Sequence, residues 1–436
     1  MRSKRHWREP PVQEDTDPVQ RRSVVPETVA AAFDGPLGAY LHVPFCEWIC
    51  PFCPYNKVLA RADLADSYFT ALNKEVDHYL EVFPRPFTSL YVGGGTPTLY
   101  PQHLAPLVKR IPVEGERAIE VLPLHGTQAR LDELHDIGFT AVSIGAQSFH
   151  DDVLRHLKRP HDAAQASQAM LNARRTFDCV DVDLIVDVAL EQDMTGFIED
   201  VRRCFEAGVD QVSTYPLMRF GYTPFGTSRH DRRREHEVLA QVTEVADSMG
   251  YERRSVWTFN RVDSPSYTSI TRRRFLGMGA GSSSFSGRDF FVNHFGIRTY
   301  IDAVSAGELP IARQLRLGKL GGLWYDAFWQ AYAGTVSPAQ LHASYGPSSG
   351  MVTAALQPGR LLGYVHRDAD GYQLTPKGFD HYHDIERWVT YQFIEPLWAE
   401  MLAEHAAEGS HVPWARTSGA RSGRAWRTAR RVLERT

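Results

Sequence analysis

The sequence has little that would mark it as a secreted, membrane-spanning or nucleic-acid-binding protein. It has only five cysteines in 436 residues, and its formal net charge is −4. Its first residues are basic but lack the apolar run and the small-residue cleavage site of a secretory signal, and no apolar run is long enough to span a bilayer. We therefore expect a cytoplasmic protein without a membrane partner, and the nearly balanced charge gives no reason to expect a nucleic acid.

Short β-branched segments alternate with longer amphipathic ones from about residue 37. The segment at 64–80 repeats an apolar residue every four positions, which predicts a helix with one apolar stripe. Such alternation implies right-handed crossovers and a parallel sheet covered by helices, either an incomplete barrel or a doubly wound sheet. The predicted strands are 39–45, 89–94, 118–124, 141–147, 181–189, 211–217 and 253–259, and the other predicted helices are 127–138, 163–177 and 195–208, the last ending at Gly208.

The pattern changes after about residue 310 to helices and a short hairpin, which predicts a small C-terminal domain over 311–408. The α/β pattern predicts one larger domain over 37–310. We expect residues 1–36 to be disordered, and also the tail at 409–436, which is rich in Arg, Gly and Ser. The basic tail fits a solvated terminus better than a phosphate-binding segment.

Three of the five cysteines lie in the segment CEWICPFC, at residues 46–53. In a reducing compartment this spacing indicates a metal site rather than disulfides. Structural zinc usually takes four protein ligands, and Cys179 and Cys204 form no second pair. Three thiolates instead suit a four-iron cluster with one open iron, a position that a catalytic centre keeps for substrate or cofactor. A zinc knuckle or simply buried thiols are the alternatives.

A run of glycines, YVGGGTPT, follows the second predicted strand at residues 91–98. Successive glycines let backbone N–H groups approach a ligand closely, although an isolated triplet also fits a tight turn between a strand and a helix. The cysteine segment also follows a strand. Because the carboxyl ends of parallel strands meet at one mouth, we expect the two segments to face each other.

Taken together, YLHVPFCEWICPFC and LYVGGGTPTL resemble the radical S-adenosylmethionine (SAM) superfamily, in particular the branch typified by oxygen-independent coproporphyrinogen oxidase. Further segments that match in the same order include IEVLP, VSIGAQSF, HLKRPH, DVDLI, MGAGSSSF and YQLTPKG, so that the resemblance covers about residues 37–400. It implies an α/β fold, a partial (β/α)6 radical SAM barrel at 37–310, followed by a small, mostly helical domain at 311–408.

The resemblance also implies two cofactors. A 4Fe-4S cluster would be held by Cys46, Cys50 and Cys53, and SAM would bind the open iron. An electron from a donor such as flavodoxin or ferredoxin would cleave SAM to methionine and a 5'-deoxyadenosyl radical, which abstracts hydrogen from a small-molecule substrate. Known members of the branch bind a second SAM, near the positions matched here by Phe52 and by the segment from Gly145 to Gln147.

Polar and glycine positions of the family around SAM are matched in this chain. Arg159 would pair with the SAM carboxylate, and Glu120 would accept hydrogen bonds from its ammonium group. Tyr40 matches a tyrosine near the cluster, and Tyr40 and Glu120 are the candidate catalytic residues. Without the resemblance, Arg159 would be interpreted as surface charge, and Tyr40 and Phe52 as core aromatics. The matched SAM positions are Gly93, Gly94, Gly95, Thr96, Glu120, Gln147, Arg159 and Asp183.

The sequence departs from the family where the oxidases carry a further cysteine after the third ligand, since Tyr55 stands at that position. This departure argues against decarboxylation of a haem precursor. We therefore expect a radical SAM enzyme that modifies a small unsaturated substrate, with methyl or methylene transfer from the second SAM, as a C-methyltransferase or cyclopropanase does. The alternatives are an oxidative decarboxylase of the coproporphyrinogen oxidase type and a haem chaperone, in which an exposed histidine such as His42 could ligate haem.

Overall fold

A computed structural model describes residues 33, 35–186, 194–226, 232–265 and 273–407. The predicted disordered tail at 409–436 lies outside these ranges, and so does most of the N-terminal segment 1–36. Within the described ranges, no helix is both long enough and apolar enough to cross a membrane.

The strands of the described residues are numbered in chain order. They are β1 (Gly38–Val43), β2 (Phe45–Cys46), β3 (Val58–Leu59), β4 (Leu90–Gly94), β5 (Arg117–Val121), β6 (Ala141–Gln147), β7 (Cys179–Val186), β8 (Gln211–Pro216), β9 (Tyr251–Arg253), β10 (Thr258–Arg261), β11 (Phe275–Met278), β12 (Ser283–Phe285), β13 (Asp289–Asn293), β14 (Ile311–Arg316), β15 (Thr335–Val336), β16 (Val365–Arg367) and β17 (Tyr372–Leu374).

The helices are numbered in the same way, and single turns join some of them to the strands. The helices are α1 (Ala62–Val82), α2 (Pro101–Arg110), α3 (Gln128–Ile137), α4 (Asp151–His156), α5 (Ala163–Thr176), α6 (Thr195–Glu206), α7 (Arg232–Ser248), α8 (Ile297–Ser305), α9 (Gly318–Tyr332), α10 (Pro338–Tyr345), α11 (Gly350–Leu361), α12 (Pro376–Val389) and α13 (Glu395–Ala407). The turns are 3-10 at Pro97–Leu99, Pro123–His125 and Gly346–Ser349, and π-helical at Thr390–Ile394.

One twelve-stranded sheet organises the molecule, in the order β14-β13-β12-β11-β1-β4-β5-β6-β7-β8-β10-β9. Its central strands β1, β4, β5, β6, β7 and β8 are parallel to one another and are connected by helices, as the sequence predicts. Antiparallel strands extend the sheet at both ends, and its outer strands β14 and β9 do not pair with each other. The sheet is therefore an open, partial (β/α)6 barrel rather than a closed one.

Helix α1 covers the sheet with the apolar stripe expected from its sequence. Tyr68, Leu72 and Val76 are buried in the main core. Full burial of such side chains stabilises a fold by about 1.5–3 kcal/mol each. Helix ends also follow the sequence: Asp162 and Gln165 form a reciprocal capping box at the start of α5, and Gly208 follows α6 with a φ of +68°.

The predicted strand at 253–259 is wrong, because this segment turns back on itself. Strands β9 and β10 form an antiparallel hairpin. The backbone N–H of Arg254 donates to Thr258 O, and the Ser255 hydroxyl oxygen accepts from Thr258 N, so that side-chain hydrogen bonding closes the turn. The segment has no glycine or proline to mark a turn. The predicted strand at 181–189 corresponds to β7, and its residues 187–189 lie outside the described ranges.

The residues after 310 form both the end of the main sheet and a separate small core. Strand β14 (Ile311–Arg316) pairs with β13 in the main sheet. Helices α9, α10 and α11 then pack with the three-stranded sheet β15-β17-β16 around buried Leu323, Leu341 and Tyr372. This region is mostly helical. The exact division into domains at 310 and 408 stays a prediction.

Candidate cofactor site at the mouth of the barrel

The three clustered cysteines lie in a loop that leaves the carboxyl end of β1, and we call residues 46–57 the cysteine loop. Strands β2 and β3 pair in parallel and close the loop at its base. Within it, Cys53 N donates to Cys50 O, and the Lys57 ammonium donates to Cys53 O at 2.6 Å. Cys46 and Cys50 are buried and Cys53 is half-buried. The backbone therefore presents three thiols from one small, internally bonded loop.

The glycine segment lies directly against the cysteine loop, as the sequence predicts. Gly95 N donates to Val43 O and Thr96 N donates to Phe45 O, at 2.8 and 2.7 Å. A Cβ atom on Gly95 would lie 2.5 Å from Phe45 O, so only glycine allows this approach. The Thr96 side chain also forms a hydrogen bond with the Cys46 thiol. The two sequence motifs therefore form one continuous surface.

Burial and, to a lesser extent, the neighbouring Cys53 together raise the pKa of Cys46 to about 12, although the hydrogen bond with Thr96 lowers it. The Cys46 thiol does not ionise easily by itself, because its thiolate would be desolvated beside another cysteine. A bound cationic metal centre would supply the missing positive charge, since coordination deprotonates a thiol.

Glu120, on β5, connects the glycine segment to the strands beside it. One carboxylate oxygen accepts from the Tyr91 hydroxyl at 2.8 Å and the other from Gly94 N at 3.1 Å. A Cβ atom on Gly93 would lie 2.7 Å from the same carboxylate. Burial raises the pKa of Glu120 to about 7, against the two hydrogen bonds that favour its ionised form. Glu120 is half-buried, so a ligand can still reach it.

Tyr40 extends this network along β1. Its ring stacks on Tyr91 with centroids 5.9 Å apart, and its hydroxyl is 2.8 Å from His42 Nδ1. His42 Nε2 is 3.0 Å from Asn56 O. The expectation of an exposed His42 that could ligate haem is wrong: His42 is buried, both of its ring nitrogens have protein partners, and burial lowers its pKa to about 4. The position of His42 on β1 places its side chain inside the protein.

Arg159, which follows α4, reaches the cysteine loop from the other side. Its guanidinium donates to Cys50 Sγ at 3.3 Å and to Gly145 O at 2.7 Å, and it lies 6.0 Å from the Phe52 ring centroid. Its Nε is buried and has no hydrogen-bond partner among the described residues. Arg159 therefore retains a donor for a further acceptor beside Cys50, which surface charge would not need.

The remaining predicted positions lie at the ends of β6 and β7. Gln147 has a φ of +69°, at a register shift between β6 and β7, and a Cβ atom on Gly145 would lie 3.1 Å from its amide nitrogen. Asp183 accepts from the Ser143 hydroxyl at 2.6 Å. Burial raises the pKa of Asp183 to about 6, against the Ser143 hydrogen bond and the charge of Arg159. These residues line the same mouth, next to the Arg159 contact.

Some residues of the site were missed by sequence reasoning. Tyr91 precedes the glycine segment by two positions, and strand alternation places it on the same face as Gly93, so a signal for it existed. Ser143 and Tyr222 carry no such signal, because they meet their partners only through the fold. Tyr222 donates to Pro54 O, at 3.3 Å, and thereby ties the loop after β8 to the cysteine loop.

The residues present fit an iron-sulfur cluster with SAM beside it. Three thiols of one loop, a half-buried arginine and a carboxylate next to half-buried glycine backbone give ligands for a cluster, a carboxylate and an ammonium group respectively. Across the described ranges, no three His, Cys, Asp or Glu side chains are placed to hold one metal ion.

Comparisons with known proteins agree with this fit. Residues 40–201 match the model of the radical SAM superfamily. The haem chaperone HemW of Bacillus subtilis (strain 168) is 24% identical over 363 residues, which are 78% of this chain and 95% of that protein. The oxygen-independent coproporphyrinogen III oxidase of Escherichia coli (strain K12) is 26% identical over 392 residues, 81% of this chain and 85% of the oxidase.

A solved structure shows the same fold. The coproporphyrinogen III oxidase HemN of Escherichia coli, described as a radical SAM enzyme, superposes with a TM-score of 0.71 at 24% identity, over 82% of this chain and 92% of the oxidase. The match extends from the barrel into the helical C-terminal region, because it covers far more than residues 40–201. Residues 40–201 of this chain therefore match the radical SAM superfamily, and the chain is similar over most of its length to a coproporphyrinogen oxidase and to a haem chaperone.

Proposed function

We propose that this protein is a radical SAM enzyme that acts on a tetrapyrrole. The observation that carries the proposal is the joined surface of the cysteine loop and the glycine segment, where Thr96 contacts Cys46 and Arg159 contacts Cys50. When bound there, a 4Fe-4S cluster and SAM would supply reductive cleavage of the sulfonium to a 5'-deoxyadenosyl radical, with an electron from a donor such as flavodoxin or ferredoxin.

The protein's own residues would bind and orient SAM. In this proposal, Cys46, Cys50 and Cys53 hold the cluster, and the half-buried guanidinium of Arg159 donates to the SAM carboxylate. Glu120 accepts from the SAM ammonium while Tyr91 and Gly94 hold its carboxylate in position. A positive ammonium beside Glu120 would stabilise its ionised form and so lower its raised pKa.

Other predicted positions would shape the mouth around the reacting atoms. Asp183 and Gln147 would line the nucleoside side, and Tyr40 would fix the orientation of Tyr91 by stacking on it. Phe52 and the segment from Gly145 to Gln147 lie next to Arg159, which is where a second SAM would be held. One SAM is enough for the proposed cleavage, and the number of bound molecules is part of the test.

The relatives favour a tetrapyrrole over the methyl or methylene transfer expected from the sequence. One is named for its action on coproporphyrinogen III and another for carrying haem, while neither is named for methyl transfer. A haem chaperone is the second candidate, because that relative is matched over 95% of its length. The burial of His42 removes one histidine that a haem-binding function could have used.

Anaerobically reconstituted protein, dithionite, SAM and coproporphyrinogen III would test the proposal. We expect 5'-deoxyadenosine and methionine in equal amounts, together with loss of carbon dioxide from the ring substrate, followed by mass spectrometry. S-adenosylhomocysteine with a methylated product would favour methyl transfer instead. Haem binding without any SAM cleavage would favour the chaperone, and absence of 5'-deoxyadenosine under all conditions would contradict the proposed enzyme.

A further inference from the structure

The aromatic side chain of Tyr55 is the feature of the cysteine loop that the cofactor site leaves without a role. It follows Cys53 by two residues, 49% of it is exposed, and its hydroxyl has no hydrogen-bond partner among the described residues. The exposed side chain of Tyr55 is therefore open to a ligand beside the cysteine loop.

Trp398, on the last helix α13, lies beside this tyrosine. The two ring centroids are 5.6 Å apart and the ring planes are inclined by 53°, so the rings form a corner rather than a stack. Trp398 is half-buried. Two aromatic faces from distant parts of the chain therefore meet next to the cysteine loop, and neither is sealed into the core.

The corner is held rigidly from behind. Phe220, which is fully buried, packs edge-on against Trp398 with centroids 6.1 Å apart. One turn earlier on α13, Glu395 accepts from Gly221 N at 2.5 Å. Tyr222, in the same loop after β8, donates to Pro54 O in the cysteine loop. The loop at 217–226 thus holds Trp398 and the backbone beside Tyr55, and such pre-organisation lowers the cost of binding a ligand against the two rings.

We propose that Tyr55 and Trp398 form an aromatic corner that binds a pyrrole face of the tetrapyrrole substrate, so that the last helix contributes to substrate selection. Ring systems prefer inclined or offset contact with aromatic side chains, which this geometry offers on two faces. The position next to the cysteine loop would bring the edge of such a ring close to the cofactors. This inference rests on the proposed function, since it names residues that would recognise the tetrapyrrole.

The test measures binding of coproporphyrin III, a metal-free ring, to the full-length reconstituted protein, so that ligation of iron by the protein cannot contribute. We expect Tyr55→Leu and Trp398→Leu each to raise the Kd about three- to tenfold, the loss typical of one aromatic contact. Tyr55→Phe keeps the ring and should bind as the wild type does. Trp388→Ala is the matched control, because Trp388 is 58% exposed on the neighbouring helix α12 and packs on Phe393.

The iron content and the thermal midpoint of each variant show whether it is folded and loaded. Wild-type affinity in both leucine variants would overturn the aromatic corner, and so would equal weakening in Trp388→Ala. A wild-type protein that cleaves SAM but binds no coproporphyrin III would also overturn it, while leaving radical SAM chemistry intact. A wild-type protein that binds the ring but yields no 5'-deoxyadenosine contradicts the proposed enzyme and not the corner.

Discussion

Two glutamates, one on α1 and one on β5, have similarly raised pKa values but lie in different surroundings. Glu120 lies at the mouth, bound by Tyr91 and Gly94. Glu75, on α1, accepts from Gly279 N, the Asn293 amide and the Tyr300 hydroxyl, at 2.8, 2.9 and 2.6 Å. Burial raises the pKa of each to about 7. Glu75 is 2% exposed and Glu120 is half-buried.

The comparison teaches that a raised pKa alone does not identify a binding site. Glu75 is sealed and its donors all come from protein, so it joins α1 to the strands β11 to β13. Glu120 has two protein donors and an accessible side, beside glycine backbone and the cysteine loop. We infer that accessibility and neighbouring ligands, rather than the pKa, separate a cofactor contact from a structural carboxylate.

The largest expected effect is loss of the iron-sulfur cluster, which tests whether the cysteine loop is where the cluster binds. Cys50→Ala should abolish the iron content and brown absorption of anaerobically reconstituted protein, because a cluster held by three thiolates does not tolerate the loss of one. Cys204→Ala is the matched control. Cys204 is a fully buried cysteine on α6, away from the cysteine loop, and its variant should keep its iron. Full iron content in Cys50→Ala would contradict the ligand assignment.

Most of the mouth could be predicted from the sequence, because short motifs with fixed spacing carry it. The cysteine loop and the glycine segment meet as expected, and the strands that bear Glu120 and Asp183 are where the periodicity places them. The two loops follow parallel strands, Glu120 and Asp183 lie in the carboxyl-terminal halves of theirs, and the strand ends of such a sheet meet at one edge. At the mouth, the local sequence pattern and the position of each strand in the sheet therefore lead to the same prediction.

The sealed network and the aromatic corner could not be predicted in this way. Glu75 lies on a helix face and meets Asn293 and Tyr300 more than 200 residues later in the chain. Trp398 meets Tyr55 only because the loop at 217–226 holds Trp398 and the backbone beside Tyr55. Such contacts depend on tertiary packing, which leaves no periodic signal in the sequence. The hairpin at 253–259 was missed for a related reason, since Ser255 closes its turn without glycine or proline.

The second expected effect is a pH dependence of stability that Glu75 contributes. Its pKa is about 7 in the folded protein and 4.5 as the ordinary value. Between these pH values the unfolded chain has lost a proton that the folded protein keeps, so the free energy of unfolding falls as the pH rises and is constant above about 7. The shift corresponds to about 3 kcal/mol. Urea unfolding from pH 4 to 8 should therefore show a shallower fall in Glu75→Gln than in the wild type.

Glu81→Gln is the matched control for this pH series. Glu81 is an exposed glutamate on the same helix, and its replacement should leave the slope unchanged. An identical slope in Glu75→Gln and in the wild type would show that Glu75 ionises equally in the folded and unfolded states. In that case the pKa of Glu75 would not be raised as that of Glu120 is, and the two glutamates would no longer be comparable.

The smallest expected effect separates the two glutamates by ligand binding. Glu120→Gln should weaken SAM binding to the reconstituted protein by about 2 kcal/mol, or roughly thirtyfold in Kd, because the amide removes the negative charge that would accept from the SAM ammonium. Glu75→Gln should leave the Kd for SAM unchanged, since no ligand reaches its sealed site. Equilibrium dialysis with labelled SAM measures both. Weaker binding in Glu75→Gln with full affinity in Glu120→Gln would reverse the assignment of the two networks.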